Sequence, residues 1–179
     1  MSRQPKPPPS FPALLQAFFV EHLTQQRALS PQTVAAYRDA FMLFLGFAEV
    51  RLGRSPAQLT LADITPDLIM AFLDHLEHDR HNSVRSRNAR LAALRSFLKF
   101  AAHRDVSSLQ VIEHALGVPA QRFERPMLGY LSRQEMLAVI VTPDRPWFSQ
   151  RAHVLLLLLH NTGARVSETA SLHVGEVGP

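Results

Sequence analysis

The fold is decided by residues 83–104, which read SVRSRNARLAALRSFLKFAAHR. Apolar side chains recur there every three or four residues, which is the repeat of one face of an α-helix: Leu91, Leu94, Leu98 and Ala101. Ser83 belongs to a residue type that caps helix starts. We therefore predict a helix from Ser83 to about Arg104.

This helix is strongly basic and contains no acidic residue. Its cations are Arg85, Arg87, Arg90, Arg95, Lys99 and Arg104. Helical geometry turns Arg85, Arg95 and Lys99 away from the leucine side. Arg87 and Arg90 lie nearer to it, but in the first two turns, where a helix can project past the core. One interpretation is an ordinary solvated helix surface. The absence of Asp and Glu from the helix instead favours binding of nucleic acid, with contacts to the phosphates and the major groove of a duplex.

The same helical signals occur along most of the chain. Ser30-Pro31 and Thr65-Pro66 each pair a capping residue with proline at the first helical position, and Gly53 and Gly117 follow predicted helix ends. Alternating apolar and polar stretches, which would indicate strands, are missing. The predicted class is all-α, with a compact bundle of four to five helices over residues 11–118.

Three further segments complete the predicted organisation. The proline-rich residues 1–10 are expected to be disordered, and residues 119–130 are expected to form a linker. Residues 131–179 should begin a second helical domain, with a capping box at Ser132 and Glu135 and helices at 147–160 and from about Arg165. Because residues 154–159 are all apolar, we expect this domain to pack poorly, self-associate or borrow burial from the bundle.

Composition narrows the class of protein. The formal charge is +4, and only two of the 19 basic residues are lysine. Arginine suits a polyanionic partner, although a GC-rich genome would also favour it. The chain has no cysteine, signal peptide or apolar run near the roughly 20 residues that span a bilayer. These features predict a cytoplasmic protein without a membrane partner.

Cofactor sites are not predicted. His75, His78 and His81 share a spacing of three that could suit a metal, but their charged neighbours indicate an exposed helix end. No glycine-rich phosphate loop occurs. We expect neither a metal nor an organic cofactor.

Two regions of the chain together resemble the tyrosine recombinases and phage-type integrases. Residues 29–41 (LSPQTVAAYRDAF) and 90–100 (RLAALRSFLKF) resemble the family's four-helix, SAM-like core-binding domain, whose second and fourth helices face DNA. Residues 161–172 (NTGARVSETASL) resemble its first catalytic box. The resemblance spans about residues 13–174 and implies double-stranded DNA as the partner. It places these residues at the DNA: Ser30, Gln32, Thr33, Arg85, Arg87, Arg90, Arg95 and Lys99.

The resemblance also implies roles for two residues of the box. Arg165 matches the arginine that grips the scissile phosphate, and a guanidinium at a helix start suits that role because both attract an anion. The alternative is a surface arginine. Glu168 lies one turn later, and its spacing predicts a pair with Arg165 that holds the arginine in place.

The family cleaves DNA with a tyrosine that forms a covalent protein–DNA bond, without metal or nucleotide cofactor. It also needs a lysine, a His-x-x-Arg box and a further His or Trp, all after the first box. Here no lysine follows Lys99, no His-x-x-Arg occurs, and the only tyrosines are Tyr37 and Tyr130. We predict that this chain binds DNA but does not cut it alone.

Three interpretations stay open. The chain is the DNA-binding start of a truncated recombinase, forming homo-oligomers or assembling with full-length recombinase subunits on DNA. Alternatively, it is part of a longer active enzyme. The third interpretation, from a different class, is a helical DNA-binding or protein-interaction module with a regulatory role.

Overall fold

The computed structural model describes residues 9–124, 129–141 and 146–171, with no side-chain description for 141 and 146–150. Two compact units divide the chain, Met1–Glu124 (unit 1) and Arg125–Pro179 (unit 2). The described residues form helices, turns and loops without any strand. The predicted all-α class is confirmed.

Unit 1 contains five α-helices and three short 3-10 turns among its described residues. The helices are α1 (Phe11–Ala17, continued by π-helical turns over Phe18–Gln26), α2 (Pro31–Leu52), α3 (Pro66–His78), α4 (Val84–Ala102) and α5 (Leu109–Leu116). The 3-10 turns are Pro56–Gln58, Leu61–Asp63 and Val106–Ser108.

The predicted helix starts are confirmed by their hydrogen bonds. The hydroxyl of Ser30 accepts from the Thr33 amide at 3.3 Å, and the hydroxyl of Ser83 accepts from the amide three residues later at the same distance. Thr65 caps α3 in the same way. Each cap satisfies an amide that the helix itself leaves without a partner. At the other end of α2, Gly53 adopts a φ of 64°, a left-handed conformation that ends the helix.

The first helix is not an ordinary α-helix along its whole length. It widens to π-helical turns after Ala17, and the amide of Arg27 donates to the carbonyl of His22, five residues back, at 3.0 Å. Bonding across five residues brings Phe18 and Leu23 to the same side, and both are fully buried. The wider turns therefore allow Phe18 and Leu23 to pack together in the core.

Aromatic side chains hold the helices of unit 1 together. Phe18 meets Phe97 at 5.5 Å between ring centroids, and Phe41 meets Phe97 at 5.4 Å, so α2 and α4 pack around the end of the first helix. Phe44 meets Phe72 at 5.3 Å and joins α2 to α3. These edge-on contacts give a dense apolar core. They also determine which face of α4 is buried and which face is exposed to solvent.

Unit 2 contains α6 (Arg133–Val141), α7 (Pro146–Thr162) and α8 (Val166–Ala170). The predicted capping box is confirmed: Ser132 N donates to Glu135 Oε2 at 2.8 Å, and Glu135 N donates to Ser132 Oγ at 3.2 Å. Helix α7 runs two residues past His160 and ends before Gly163, whose φ is 65°. None of the described helices has the length and apolar character needed to cross a membrane.

The outer segments differ in part from expectation. Most of the proline-rich tail lies outside the described residues, but Ser10 caps α1 and so belongs to the bundle. Residues 125–128 of the predicted linker also lie outside the described residues. Its first part, up to Gln121, is hydrogen-bonded to α4 instead of hanging free.

Candidate nucleic-acid interface

One face of α4 is left open to solvent. It carries Arg85, Ala89, Ala92, Ser96, Lys99 and His103, all exposed or half-buried, at helical spacings of three and four. The opposite face holds the predicted leucines, which are buried. We call this surface the open face of α4. It has a cation near each end and small side chains between them, so another molecule's backbone can approach closely.

Arg85 and Lys99 are exposed, as their positions on the helix predict. Within the described parts of the chain, neither side chain has an ion-pair partner. Their charges are therefore available to an external anion.

Arg87 does not project past the core, and that expectation is wrong. Its side chain is 2% exposed, and its Nε lies 3.5 Å from Oε2 of Glu77 on α3. Because α3 packs beside the first turns of α4, position 87 is enclosed. Nε and Nη1 of Arg87 have no hydrogen-bond partner among the described residues. A buried, paired arginine cannot reach DNA in this structure, so we leave it out of the interface.

Arg90 and Arg95 are half-buried and are used inside the bundle. Arg90 donates from Nη1 to the carbonyl of Ser86 at 3.2 Å. Arg95 donates from Nη2 to the carbonyls of Leu116 at 3.4 Å and Val118 at 2.5 Å. Arg95 thereby stabilises the C-terminal end of α5, whose carbonyls lack helical partners. Neither side chain is presented to solvent as freely as sequence position alone suggests.

The start of α2 presents the other predicted DNA contacts. Ser30 and Gln32 are exposed, and Thr33 is half-buried. The Ser30 and Thr33 hydroxyls lie 2.9 Å apart, so one donates to the other. Tyr37, two turns into α2, is half-buried and stacks on Phe18 with centroids 6.3 Å apart, as expected for a core residue.

Sequence reasoning missed two groups on unit 1. Asn88 binds the backbone of Gln121 through both atoms of its amide, at 2.7 and 3.1 Å. Arg27 lines a cavity together with Lys99 and His103. The spacing of Ser96, Lys99 and His103 could have indicated that the open face continues to the end of α4. Nothing in the sequence indicates that Arg27 joins it.

In unit 2, Arg165 is the N-cap residue of α8 and pairs with Glu168. The Arg165 amide donates to Glu168 Oε2 at 2.8 Å, and its Nη1 donates to Oε1 at 2.9 Å. The backbone hydrogen bond from Arg165, followed by the side-chain bond, lowers the pKa of Glu168 below its ordinary value. The Arg165 side chain remains 82% exposed. The glutamate thus orients the guanidinium and leaves its outer edge open.

The histidines of α3 bond locally. His75 Nδ1 lies 2.7 Å from Asp79 Oδ2, and His78 Nδ1 donates to the carbonyl of Asp74 at 3.0 Å. Within the described ranges, no group of three or more His, Cys, Asp or Glu residues is placed to hold a metal ion.

Comparison with known proteins decides the family. Residues 17–105, which extend from the end of α1 through α4, match the model of the phage integrase N-terminal SAM-like domain. A protein of Sinorhizobium fredii (strain NBRC 101917 / NGR234) named integrase/recombinase y4rC is 43% identical over 164 residues, which is 91% of this chain and 49% of that protein. The chain belongs to the tyrosine recombinase family.

Two further proteins are similar over about the same part of this chain. The integrase/recombinase y4rD of the same Sinorhizobium strain is 41% identical over 92% of this chain and 59% of that protein. Tyrosine recombinase XerC of Caldanaerobacter subterraneus subsp. tengcongensis is 26% identical over 93% of this chain and 50% of that protein. The chain spans about half the length of these relatives. No solved structure matches it.

Proposed function

We propose that the chain binds double-stranded DNA as the N-terminal part of a site-specific tyrosine recombinase or integrase. Unit 1 contacts the duplex with the open face of α4 and the exposed start of α2. The observation that carries this proposal is the open face itself, where Arg85 and Lys99 have no internal ion pair among the described residues and no carboxylate lies between them.

The dimensions of the open face suit the major groove. Arg85 and Lys99 are about 21 Å apart along the helix axis, at 1.5 Å per residue. The major groove is about 12 Å wide, so cations at the two ends of the helix can reach phosphates on both sides of it. Ala89 and Ala92 then lie between, where bulky side chains would keep the helix out.

Salt-dependent binding tests this function. The logarithm of the DNA association constant K falls linearly as the logarithm of the salt concentration rises, and removing one cation that binds a phosphate should reduce the magnitude of this slope by about 0.9. We expect Arg85→Gln to lower the slope by that amount on a duplex of any sequence. Arg51→Gln removes the same charge from the exposed last turn of α2 and should leave the slope unchanged. A chain that ignores duplex DNA in dilute buffer would refute the proposal.

Arg165 is proposed to bind the scissile phosphate, with Glu168 as its positioning residue. A guanidinium binds two phosphate oxygens at once, and the pair with Glu168 restricts its rotamer before DNA arrives. Arg165→Ala should weaken binding to a family-type inverted repeat more than binding to an unrelated duplex. If the substitution weakens binding to the two duplexes equally, Arg165 does not bind the scissile phosphate.

The chain alone is proposed not to cleave DNA and to need no cofactor. Tyr37 is held in the core, and Tyr130, although fully exposed, has no His-x-x-Arg box or later lysine in this chain to activate a phosphodiester. Incubation with a suicide substrate should therefore give no covalent adduct. An adduct that maps to Tyr130 would overturn this. Cleavage after mixing with a full-length recombinase would support assembly with such subunits on DNA.

A regulatory interaction module is the second candidate. Met42 and Val50 are largely exposed beside Phe47, along a groove between α2 and α3, as a protein-binding surface would require. Such a module should retain partner and DNA binding when Arg165 is replaced by alanine. A recombinase half should lose affinity for the crossover phosphate.

A further inference from the structure

The C-terminal half of α4 and the π-helical turns enclose a shallow cavity of about 360 Å³. Its lining includes His22, Gln26, Arg27, Ser96, Lys99 and His103. The last three residues of that set form the end of the open face of α4. We call this feature the α4 cavity.

Two cations in the α4 cavity are free. Arg27 and Lys99 are exposed, and no ion pair holds either of them in the described parts of the chain. Arg104, at the rim, differs: its Nη2 lies 2.7 Å from Glu21 Oε2, and its guanidinium lies 4.7 Å above the Phe100 ring. The carboxylate of Glu21 is thus already used by Arg104, and the cavity keeps an unbalanced positive charge.

Polar side chains complete the lining. His22 packs against Phe100 with ring centroids 5.1 Å apart, and its Nδ1 donates to Gln26 Oε1 at 3.1 Å, which holds the Gln26 side chain at the cavity. The Gln26 amide nitrogen keeps its N–H donors, and the Ser96 hydroxyl is a further donor. Together with the two cations, these donors suit a phosphate, which has several acceptor oxygens.

We propose that the α4 cavity holds one backbone phosphate of the bound duplex, between Arg27 and Lys99. This inference rests on the proposed DNA binding by unit 1. The cavity continues the open face, and Ser30 at the start of α2 follows Arg27 by three residues. A phosphate there anchors the register of α4 along the groove without reading sequence.

The test uses the whole chain and a duplex of unrelated sequence. The slope of log K against log salt counts the phosphates that are neutralised, at about 0.9 for each, so replacing Arg27 and Lys99 by glutamine together should reduce its magnitude by about 0.9. Each single substitution should reduce it by less than the double substitution does, because the remaining cation still binds the same phosphate. The matched control is Arg51→Gln. Circular dichroism should show unchanged folding, because both side chains are exposed.

The outcomes separate this proposal from the proposed function. If the double substitution of Arg27 and Lys99 keeps the original slope while Arg85→Gln lowers it, unit 1 binds DNA without these two cations and the α4 cavity is not a phosphate site. If the double substitution reduces the slope by about 1.8, the two residues contact different phosphates and the single-phosphate site is refuted. If the unsubstituted chain binds no duplex at low salt, the proposed function itself is wrong.

Discussion

The side-chain amide of Asn88 forms two hydrogen bonds with the backbone of Gln121: Nδ2 donates to the carbonyl at 2.7 Å, and Oδ1 accepts from the amide at 3.1 Å. Gln121 in turn donates from Nε2 to Glu77 at 3.0 Å, and Glu77 is the ion-pair partner of the buried Arg87. This set of contacts fastens the chain to α4 and α3 just before it leaves unit 1. Helix α4 and the segment that contains Gln121 are thereby held together.

Asn88→Ala should make the segment around Gln121 open more often from the bundle. Removal of two hydrogen bonds of about 0.5–1.5 kcal/mol each should raise the amide exchange rate at Gln121 by roughly fivefold or more. Amide hydrogen exchange resolved by residue is the measurement. Ser96→Ala, on the same helix but away from residue 121, should leave that rate unchanged. An unchanged rate in Asn88→Ala would show that the contacts do not hold the segment.

Arg87→Ala should destabilise unit 1 and not merely weaken DNA binding. The change removes a buried side chain and leaves Glu77 without its cation, which we expect to cost roughly 3 kcal/mol. Urea denaturation measures the decrease in stability. The control, Arg85→Ala, removes an exposed arginine two residues away and should change stability by no more than about 0.5 kcal/mol. Similar stabilities for the two variants would contradict the burial of Arg87.

Asp105 should make the stability of unit 1 sensitive to acid. Its carboxylate accepts from the hydroxyls of Ser107 at 2.5 Å and Ser108 at 2.6 Å, and these bonds, that of Ser107 first, hold the pKa of Asp105 below its ordinary value. A lowered folded-state pKa means that the stabilisation is complete above the unfolded value of about 4 and is lost as pH falls through the folded-state pKa.

Asp105→Ala should therefore cost about 1 kcal/mol at neutral pH, as for removal of a capping residue, and should flatten the fall in unfolding free energy below about pH 4. Denaturation at several pH values checks both. Glu113→Gln, on the exposed side of α5, should keep the acid dependence of the unsubstituted chain. The same steep fall in Asp105→Ala would rule out this carboxylate as its source.

The apolar surface of α7 should promote self-association. Val154 is 62% exposed, and Leu155 and Leu157 are each 36% exposed, so a short unit presents several large apolar side chains to solvent. Sedimentation should show mass increasing with concentration, and Val154→Glu should suppress the increase. Val106→Glu, which alters a valine of similar exposure in unit 1, is the control. A monomer at all concentrations would exclude an exposed patch of this kind.

The helical class, the caps at Ser30, Thr65 and Ser83, and the pair of Arg165 with Glu168 were all predictable from the sequence. Their signals are local, because a cap or a one-turn pair depends only on residues three or four positions apart. The apolar repeat of α4 likewise indicated its buried face. The predicted DNA contacts at Ser30, Gln32, Thr33, Arg85, Arg90, Arg95 and Lys99 remain proposals.

The tertiary structure alone decided which arginines of α4 are free. Helical position separates Arg85 and Arg95 from Arg87 and Arg90, but it does not show that the packing of α3 encloses Arg87 or that the end of α5 engages Arg95 while Arg85 stays in solvent. The packing of the π-helical turns against α4 places Arg27 and Lys99 in one cavity, and the chain after α5 brings Gln121 to Asn88. Whether a charge faces solvent depends on residues distant in the chain, and a helical repeat carries no information about them.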